Sequence, residues 1–252
     1  MNEPAASPIL RASGLSIHFG ALRAVDDVSF DVPRGGITSI IGPNGAGKST
    51  LFNLLSGSLK PSAGAVRFDG TDITALPPAR RLRRGLARSF QITNLFFELP
   101  VRENLRLACQ YYEPRVKLWL PVARNTRAAD RTEQLLESFG LGKRAATPAG
   151  ALSHGEQRRL EIAVTLASQP KLLLLDEPTQ GMSHGDTADT EKLIAALARD
   201  TTVLLIEHDV DLVMGLSNRV IVMAQGRKLT EGTPAQVRGN AEVQAAYFGD
   251  KP

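Results

Sequence analysis

Cysteine is almost absent from this 252-residue chain: Cys109 is the single one. One thiol excludes an internal disulfide framework and suits a reducing cytoplasm. Cys109 itself reads as a small packed apolar residue. Aromatic residues are scarce as well, at 5%. The basic cluster Arg80-Arg81-Leu82-Arg83-Arg84 with Arg88 lacks the aromatic interleaving that single-stranded nucleic acids stack upon. No nucleic-acid partner is therefore expected. The cluster reads as a solvated helix face, with attraction to an anionic membrane leaflet as the alternative. No apolar run approaches the roughly 18 residues needed to cross a bilayer. Residues 1–8 hold an acidic residue and no long apolar core, so a short flexible tail is expected rather than a secretory leader. Neither sign of charge dominates, and the net charge of +4 is too mild to define a partner. What remains is ordinary globular composition, 42% hydrophobic and 22% charged, in a length that fits one large domain or two small ones.

Against that background one stretch stands out. Residues 42–50 read Gly42-Pro43-Asn44-Gly45-Ala46-Gly47-Lys48-Ser49-Thr50, which fits the phosphate-loop pattern G-x-x-x-x-G-K-[ST]. A loop that wraps a polyphosphate must turn its N–H groups inward, and glycines at 42, 45 and 47 permit backbone angles and approaches that a Cβ would block. Lys48 would reach the β- and γ-phosphates, and the Ser49 hydroxyl would ligate Mg²⁺. The context agrees: residues 36–41 read as a buried strand, and residues 49–55 as a helix whose N-terminus faces the phosphates. The loop by itself does not separate a kinase, a GTPase, a helicase or a transport ATPase.

Along the chain, residues 9–19 and 25–32 alternate as strands with a turn at Gly20, and residues 65–68 form another short strand. Residues 101–112 and 128–140 are helical in pattern. The segment between them, with Pro114, Trp119 and Pro121, takes no clear assignment. Residues 157–168 predict an amphipathic helix, with Leu160, Ala163, Val164 and Ala167 on one face. The tetrad 172–175 suits a strand buried on both sides of a parallel sheet. Helix over 187–199, strand over 202–206, helix over 210–216 and strand over 220–223 follow, then two short helices near Pro234 and Ala241. Strands alternating with helices point to an α/β core interrupted by a helical middle section.

Two further motifs bear on chemistry. Asp176-Glu177 places paired carboxylates at a strand end, where doubly wound folds bind ligands; a capping Asp and a surface Glu before Pro178 is the plainer alternative. Leu152-Ser153-His154-Gly155-Glu156-Gln157 precedes the amphipathic helix, and Ser153 with the Gly155 backbone would offer donors to an anion there. A simple helix cap is the alternative.

Phosphate loop, then Leu152–Gln157, then Leu172–Glu177: in this order the three resemble the ATP-binding subunits of ABC transporters. The second is similar to their signature motif and the third to their Walker B strand with its adjoining glutamate. Gln91, after Ser89-Phe90, falls at the Q-loop position. His208, in Ile206-Glu207-His208-Asp209, falls at the switch histidine, and Phe19 at the aromatic that stacks on adenine. The resemblance spans residues 9–249. It implies an α/β fold with a P-loop NTPase (RecA-like) core, an antiparallel β subdomain and an inserted helical subdomain. As one ATPase domain over 9–252, the core would occupy 9–91 and 159–233, the helical subdomain 92–158 and short helices 234–249.

The resemblance also implies a mechanism. Two such subunits, identical or paralogous, close head to tail around two ATP molecules, each site joining one phosphate loop to the other subunit's Ser153, Gly155 and Glu156. Glu177 would be general base, and His208 would hold it and water at the γ-phosphate. Ser49, Gln91 and Asp176 would surround Mg²⁺. Leu95-Phe96-Phe97-Glu98-Leu99 would grip one of two permease subunits, or else pack within the helical part. The chain would then sit peripherally at the cytoplasmic face of the membrane. Two positions depart from the family pattern: His154 stands where glycine is frequent, and Ser183 where many members have aspartate, so no cross-subunit role is assigned to Ser183. Residues 18–25, 85–91, the insert at 113–128, residues 206–214, Gly232-Thr233-Pro234 and Tyr247-Phe248-Gly249 resemble the longer ATPase of branched-chain amino-acid importers, which work with an extracytoplasmic solute-binding protein. Alternatives are importers of amides, urea or aromatic acids, a lipopolysaccharide-type exporter, a soluble ABC-type ATPase acting on DNA or ribosomes, and a simple P-loop kinase. Lys48 and Ser153 lie 105 positions apart with no sustained heptads, unlike the DNA-repair type with its long coiled coil.

Overall fold

A computed structural model describes residues 7–89, 95–111 and 126–248. The strands are β1 (Leu10–Phe19), β2 (Leu22–Val32), β3 (Ile37–Ile41), β4 (Ala63–Phe68), β5 (Thr71–Asp72), β6 (Leu86–Arg88), β7 (Leu172–Asp176), β8 (Thr202–Ile206), β9 (Arg219–Ala224) and β10 (Arg227–Gly232). The α-helices are α1 (Lys48–Ser56), α2 (Pro78–Arg83), α3 (Val101–Tyr111), α4 (Thr126–Ser138), α5 (His154–Leu166), α6 (His184–Leu197), α7 (Val210–Leu216), α8 (Pro234–Arg238) and α9 (Ala241–Phe248). They fall into two compact units: Met1–Arg88, Lys171–Glu177 and Ile194–Pro252 in the first, Ser89–Pro170 and Pro178–Leu193 in the second.

The first unit holds two sheets. An antiparallel sheet runs β2-β1-β4-β5, and a six-stranded sheet runs β10-β9-β3-β8-β7-β6, parallel from β9 to β6 with β10 added antiparallel at its edge. Every residue of β3, β7 and β8 is buried, as expected for parallel strands covered on both faces. In β1 the buried positions switch from Leu10 and Ala12 to Leu15 and Ile17. The change of parity comes from a register shift at Ser13-Gly14, where Gly14 takes φ 58°. A bulge residue in that region costs glycine little. Phe30, Ile40, Phe52, Phe68, Leu174 and Ile206 share one core, so both sheets and α1 condense around the same apolar mass.

Three elements escaped the sequence: β5, β6 and β10; the helix α2 is anticipated only as a solvated face around Arg80–Arg84. β6 is three residues long, and β10 reads Arg-Lys-Leu-Thr-Glu-Gly with no apolar alternation because it lies at an edge. The basic cluster divides in a way its composition hides. Arg80, Arg83 and Arg84 are solvated, as expected. Arg81 is instead 1% exposed. It donates to the carbonyls of Leu54, Leu55, Thr74 and Leu76, closing the C-terminal end of α1. Arg88 is also drawn inward, against Asp176.

The second unit packs α3 against α4 and α5. Cys109 is buried there, in keeping with its reading as a packing residue. The Asn104 side chain accepts from the Phe96 N–H at 2.8 Å and donates to the carbonyls of Phe96, Leu99 and Pro100. That amide fixes the segment that enters α3. Leu95 is buried, whereas Phe96 and Phe97 are 60% and 41% exposed.

Candidate functional site

Register places the chemistry. Ile40 and Asp176 both pair with Ile206, so the chain leaves β3, β7 and β8 at one edge of the sheet. Gly42, Glu177 and Glu207 follow those strands directly. This is the carboxyl edge at which open α/β sheets bind ligands.

α1 starts at Lys48 with Gly47 as N-cap, at φ 93° and with no side-chain cap bond. The first-turn N–H groups are thus left for an anion. A Cβ on Gly47 would sit 2.3 Å from the Ala24 carbonyl, and one on Gly42 would sit 2.2 Å from that of Met223. The glycines are set by the surrounding backbone as much as by a ligand. The Lys48 ammonium folds over the loop and donates to Gly42 O at 2.6 Å and Pro43 O at 3.1 Å. Burial pushes its pKa down, while Glu177 and Asp176 pull it up. A cavity of about 480 Å³ opens over residues 44–50, walled by Leu22, Arg23, Ala24, Glu177 and the turn Gln225-Gly226. Pockets of this size take small-molecule ligands.

That turn and residues 22–24 were missed from sequence. Gly226 donates to Ala46 O at 3.1 Å, and Asp26 donates to Gly226 O at 2.9 Å, so the β9–β10 hairpin clamps the loop from the side. Gln225-Gly226 between two strands carries a two-residue hairpin signal, hidden by the polarity of β10. Phe19 lies at the tip of the β1–β2 hairpin, 49% exposed and paired with Leu22 across the turn.

Asp176 ends β7 with its side chain fully buried, accepting from Arg88 at 2.8 Å. Glu177 holds φ 45° and donates its N–H to Ile206 O at 2.9 Å. A non-glycine residue in the left-handed region is strained and persists only where its surroundings impose it; here the imposed turn brings Glu177 to the cavity wall. Glu207 is buried and accepts the His208 N–H at 3.2 Å. The His208 ring stays half exposed, its Nδ1 3.6 Å from that carboxylate. Gln91 lies outside the described residues.

The Ser49 hydroxyl and the Asp176 carboxylate are hard oxygen donors of the kind Mg²⁺ takes. Among the described residues there is no cluster of three or more His, Cys, Asp or Glu side chains suited to a metal. Mg²⁺ is usually held by one or two protein oxygens together with substrate phosphates. Ser49 lines the cavity and Asp176 directly precedes Glu177 in its wall.

In the second unit, Ser153 caps α5. Its Oγ accepts from Glu156 N, and the Glu156 carboxylate accepts from Ser153 N at 2.9 Å, a reciprocal capping box. The Ser153 N–H and then Arg144 hold the Glu156 carboxyl below its usual range. α5 therefore starts at His154, three residues before the predicted Gln157. Gly155 is buried, and a Cβ there would meet the Asp186 carboxylate at 2.5 Å. Asp186 accepts from the Ser183 hydroxyl at 2.7 Å, and Ser183 O accepts the Thr187 N–H, so Ser183 shapes the start of α6.

Comparison with known proteins agrees with this geometry. A family model described as ABC transporter matches residues 25–180, and one described as branched-chain amino acid ATP-binding cassette transporter matches residues 227–251. The high-affinity branched-chain amino acid transport ATP-binding protein LivG of Salmonella typhimurium is 42% identical over 96% of this chain and 98% of its own. The corresponding BraF protein of Pseudomonas aeruginosa is also 42% identical, over the same shares of each chain. A solved ATP-binding cassette of an ABC transporter in its ADP conformation superposes with TM-score 0.83 at 34% identity, over 96% of this chain and 99% of that one.

Proposed function

This chain belongs to the ABC transporter family of ATP-binding proteins, and from that membership we propose that it binds and hydrolyses ATP to power an importer of branched-chain or related amino acids. The observation that carries the reading is the phosphate loop, capped only by glycine, facing a cavity that Glu177 also lines. The solute class rests on the relatives and on the match over residues 227–251.

The roles follow from position. The N–H groups of residues 44–50 would wrap the β- and γ-phosphates, and Lys48 would exchange the carbonyls of Gly42 and Pro43 for phosphate oxygens. Phe19 would stack on the adenine. Ser49, Asp176 and Gln91 would hold Mg²⁺, whose chemistry here is neutralising charge on the β- and γ-oxygens. Glu177 would take the proton of the attacking water. His208, kept near Glu207, would align Glu177 and that water. Ser153, Gly155 and Glu156 would face the γ-phosphate bound by a second ATP-binding subunit, identical or paralogous. Two permease subunits and, through them, an extracytoplasmic binding protein would complete the machine at the cytoplasmic face of the membrane. No helix among the described residues is long and apolar enough to cross a membrane, so the path for the solute must come from partners.

Glu177→Gln tests the central assignment. The variant should bind ATP, run as a dimer in gel filtration with ATP, and lose about a hundredfold or more in turnover, within the range expected for an acid–base group. Turnover at the parent rate would remove Glu177 as the base.

A further inference from the structure

A mostly buried cation, Arg88, stands next to the site. Arg88 ends β6, in register with Leu174 of the neighbouring β7. Its side chain is 12% exposed and that of its partner Asp176 is 0% exposed. One guanidinium nitrogen donates to Asp176 Oδ2 at 2.8 Å. The other donates to Asn53 Oδ1 at 2.6 Å and Ser56 Oγ at 3.0 Å. The Arg88 Cζ lies 5.8 Å from the centre of the Phe52 ring. Asn53 and Ser56 are i and i+3 on α1, the helix whose first turn carries Lys48 and Ser49. A single rigid fork therefore joins the helix that carries Ser49 to the strand that carries Asp176.

We propose that Arg88 is a positioning residue: it fixes the Asp176 carboxylate relative to α1 and so sets the Mg²⁺ requirement of nucleotide binding. This rests on the assignment of Ser49 and Asp176 as metal holders. Two effects oppose each other. A nearby positive charge repels a dication, which would weaken metal binding. A carboxylate locked by a charge-assisted bond loses no rotamer freedom when it meets the metal, which strengthens binding. The contacts favour the second effect, because Arg88 engages Oδ2 through one nitrogen while α1 and Phe52 hold the rest of the fork. Lysine could not reproduce this, since its single nitrogen cannot span Asp176 on β7 and Asn53 and Ser56 on α1 as two arms of a planar fork do.

The test measures ADP binding to the full-length protein by calorimetry, in EDTA and across a MgCl₂ series, with thermal melting as a control. Arg88→Ala should raise the Mg²⁺ concentration for half-maximal effect by about tenfold or more, the usual cost of losing a partner of a metal ligand. ADP affinity in EDTA should stay within about twofold. Arg88→Lys should give an intermediate shift. Asn53→Ala, which loosens the fork but leaves Asp176 its partner, should give a smaller shift in the same direction. If Arg88→Ala does not fold, these two variants decide by the same criterion. An unchanged or lowered Mg²⁺ requirement overturns the proposal. Equal loss of binding with and without Mg²⁺ overturns it too, since the residue would then serve structure only. Lys48→Ala separates this from the wider reading. If Lys48→Ala still binds ADP normally, the phosphate-loop assignment fails; if it does not bind and Arg88→Ala keeps normal Mg²⁺ dependence, only the Arg88 proposal fails.

Discussion

Arg80, Arg81 and Arg83 are equal as sequence, yet only Arg81 is turned inward, to four main-chain carbonyls. Two of these, on Leu54 and Leu55, lie in the last turn of α1, where carbonyls run out of intrahelical partners and a cation meets the negative end of the helix dipole; Leu54 O also accepts the Gly57 N–H at 3.3 Å. The arrangement is costly as well as useful: burial lowers the Arg81 pKa to about 10, with Asp72 opposing. The group remains charged at neutral pH, and removing it would strand its acceptors. Arg81→Ala should therefore lose roughly 2–4 kcal/mol in urea denaturation, since buried groups left without partners cost about 1–3 kcal/mol each and some will rehydrate. Arg80→Ala and Arg83→Ala should stay within about 0.5 kcal/mol. The same contrast marks what was legible. Gly42 to Thr50, Asp176, Glu177, Ser153 and His208 could be proposed from sequence because the motifs that suggest them are contiguous in the chain. Arg81 and Arg88 could not, because each is drawn inward by partners that include ones as far as 27 and 88 residues away.

Elements were legible where periodicity and burial agree. β8 (Thr202–Ile206) and α7 (Val210–Leu216) fall on their predicted bounds, one a threonine followed by an apolar run and the other capped by Asp209. α5 and α6 each begin three residues ahead of prediction, because Ser153 and Ser183 start them with side-chain bonds that an apolar pattern does not register. At the joints between elements, charge takes over from pattern. Asp69, in the turn between β4 and β5, is held by Lys171 at 2.7 Å and by Arg34. The side-chain bonds from Lys171 and then Arg34 lower its pKa from 3.8 to about 2. A carboxyl with a depressed folded pKa favours the folded state above its unfolded value, and that contribution fades as pH falls through the folded one. Asp69→Asn should thus differ from the parent by a constant amount above pH 4, and the two stability curves should converge between pH 4 and 2. Urea melts at half-unit pH steps would show it, and curves that stay parallel down to pH 2 would contradict it.

For the molecule as a whole, the question is where the energy of hydrolysis goes. The cavity and its glycine-capped helix suit a phosphate-bearing ligand, and no helix among the described residues is long and apolar enough to cross a membrane; under the proposed function, work passes to the permease subunits through the surface. Most large apolar side chains of the described residues are buried. Four are exposed: Phe19 and Leu22 at the hairpin by the cavity, and Phe96 and Phe97 in the second unit. In that reading, Phe19 of the first pair would stack on adenine. The second pair sits in a segment that is held firmly in place, since Asn104 bonds it at four points and Gly150 donates to Phe97 O at 3.0 Å. Two phenyl rings left 60% and 41% exposed on a rigid backbone forgo part of their burial in the isolated chain, and covering the exposed part in a partner would gain about 1 kcal/mol or more each. That weighs against the alternative in which residues 95–99 serve only internal packing, a role that Leu95 fills. Phe96→Ala should leave the melting temperature and the ATPase rate of the isolated subunit unchanged. It should weaken permease co-purification and reduce solute uptake by about tenfold or more, the equivalent of at least 1.4 kcal/mol. Uptake and assembly at parent levels would place the permease contact elsewhere.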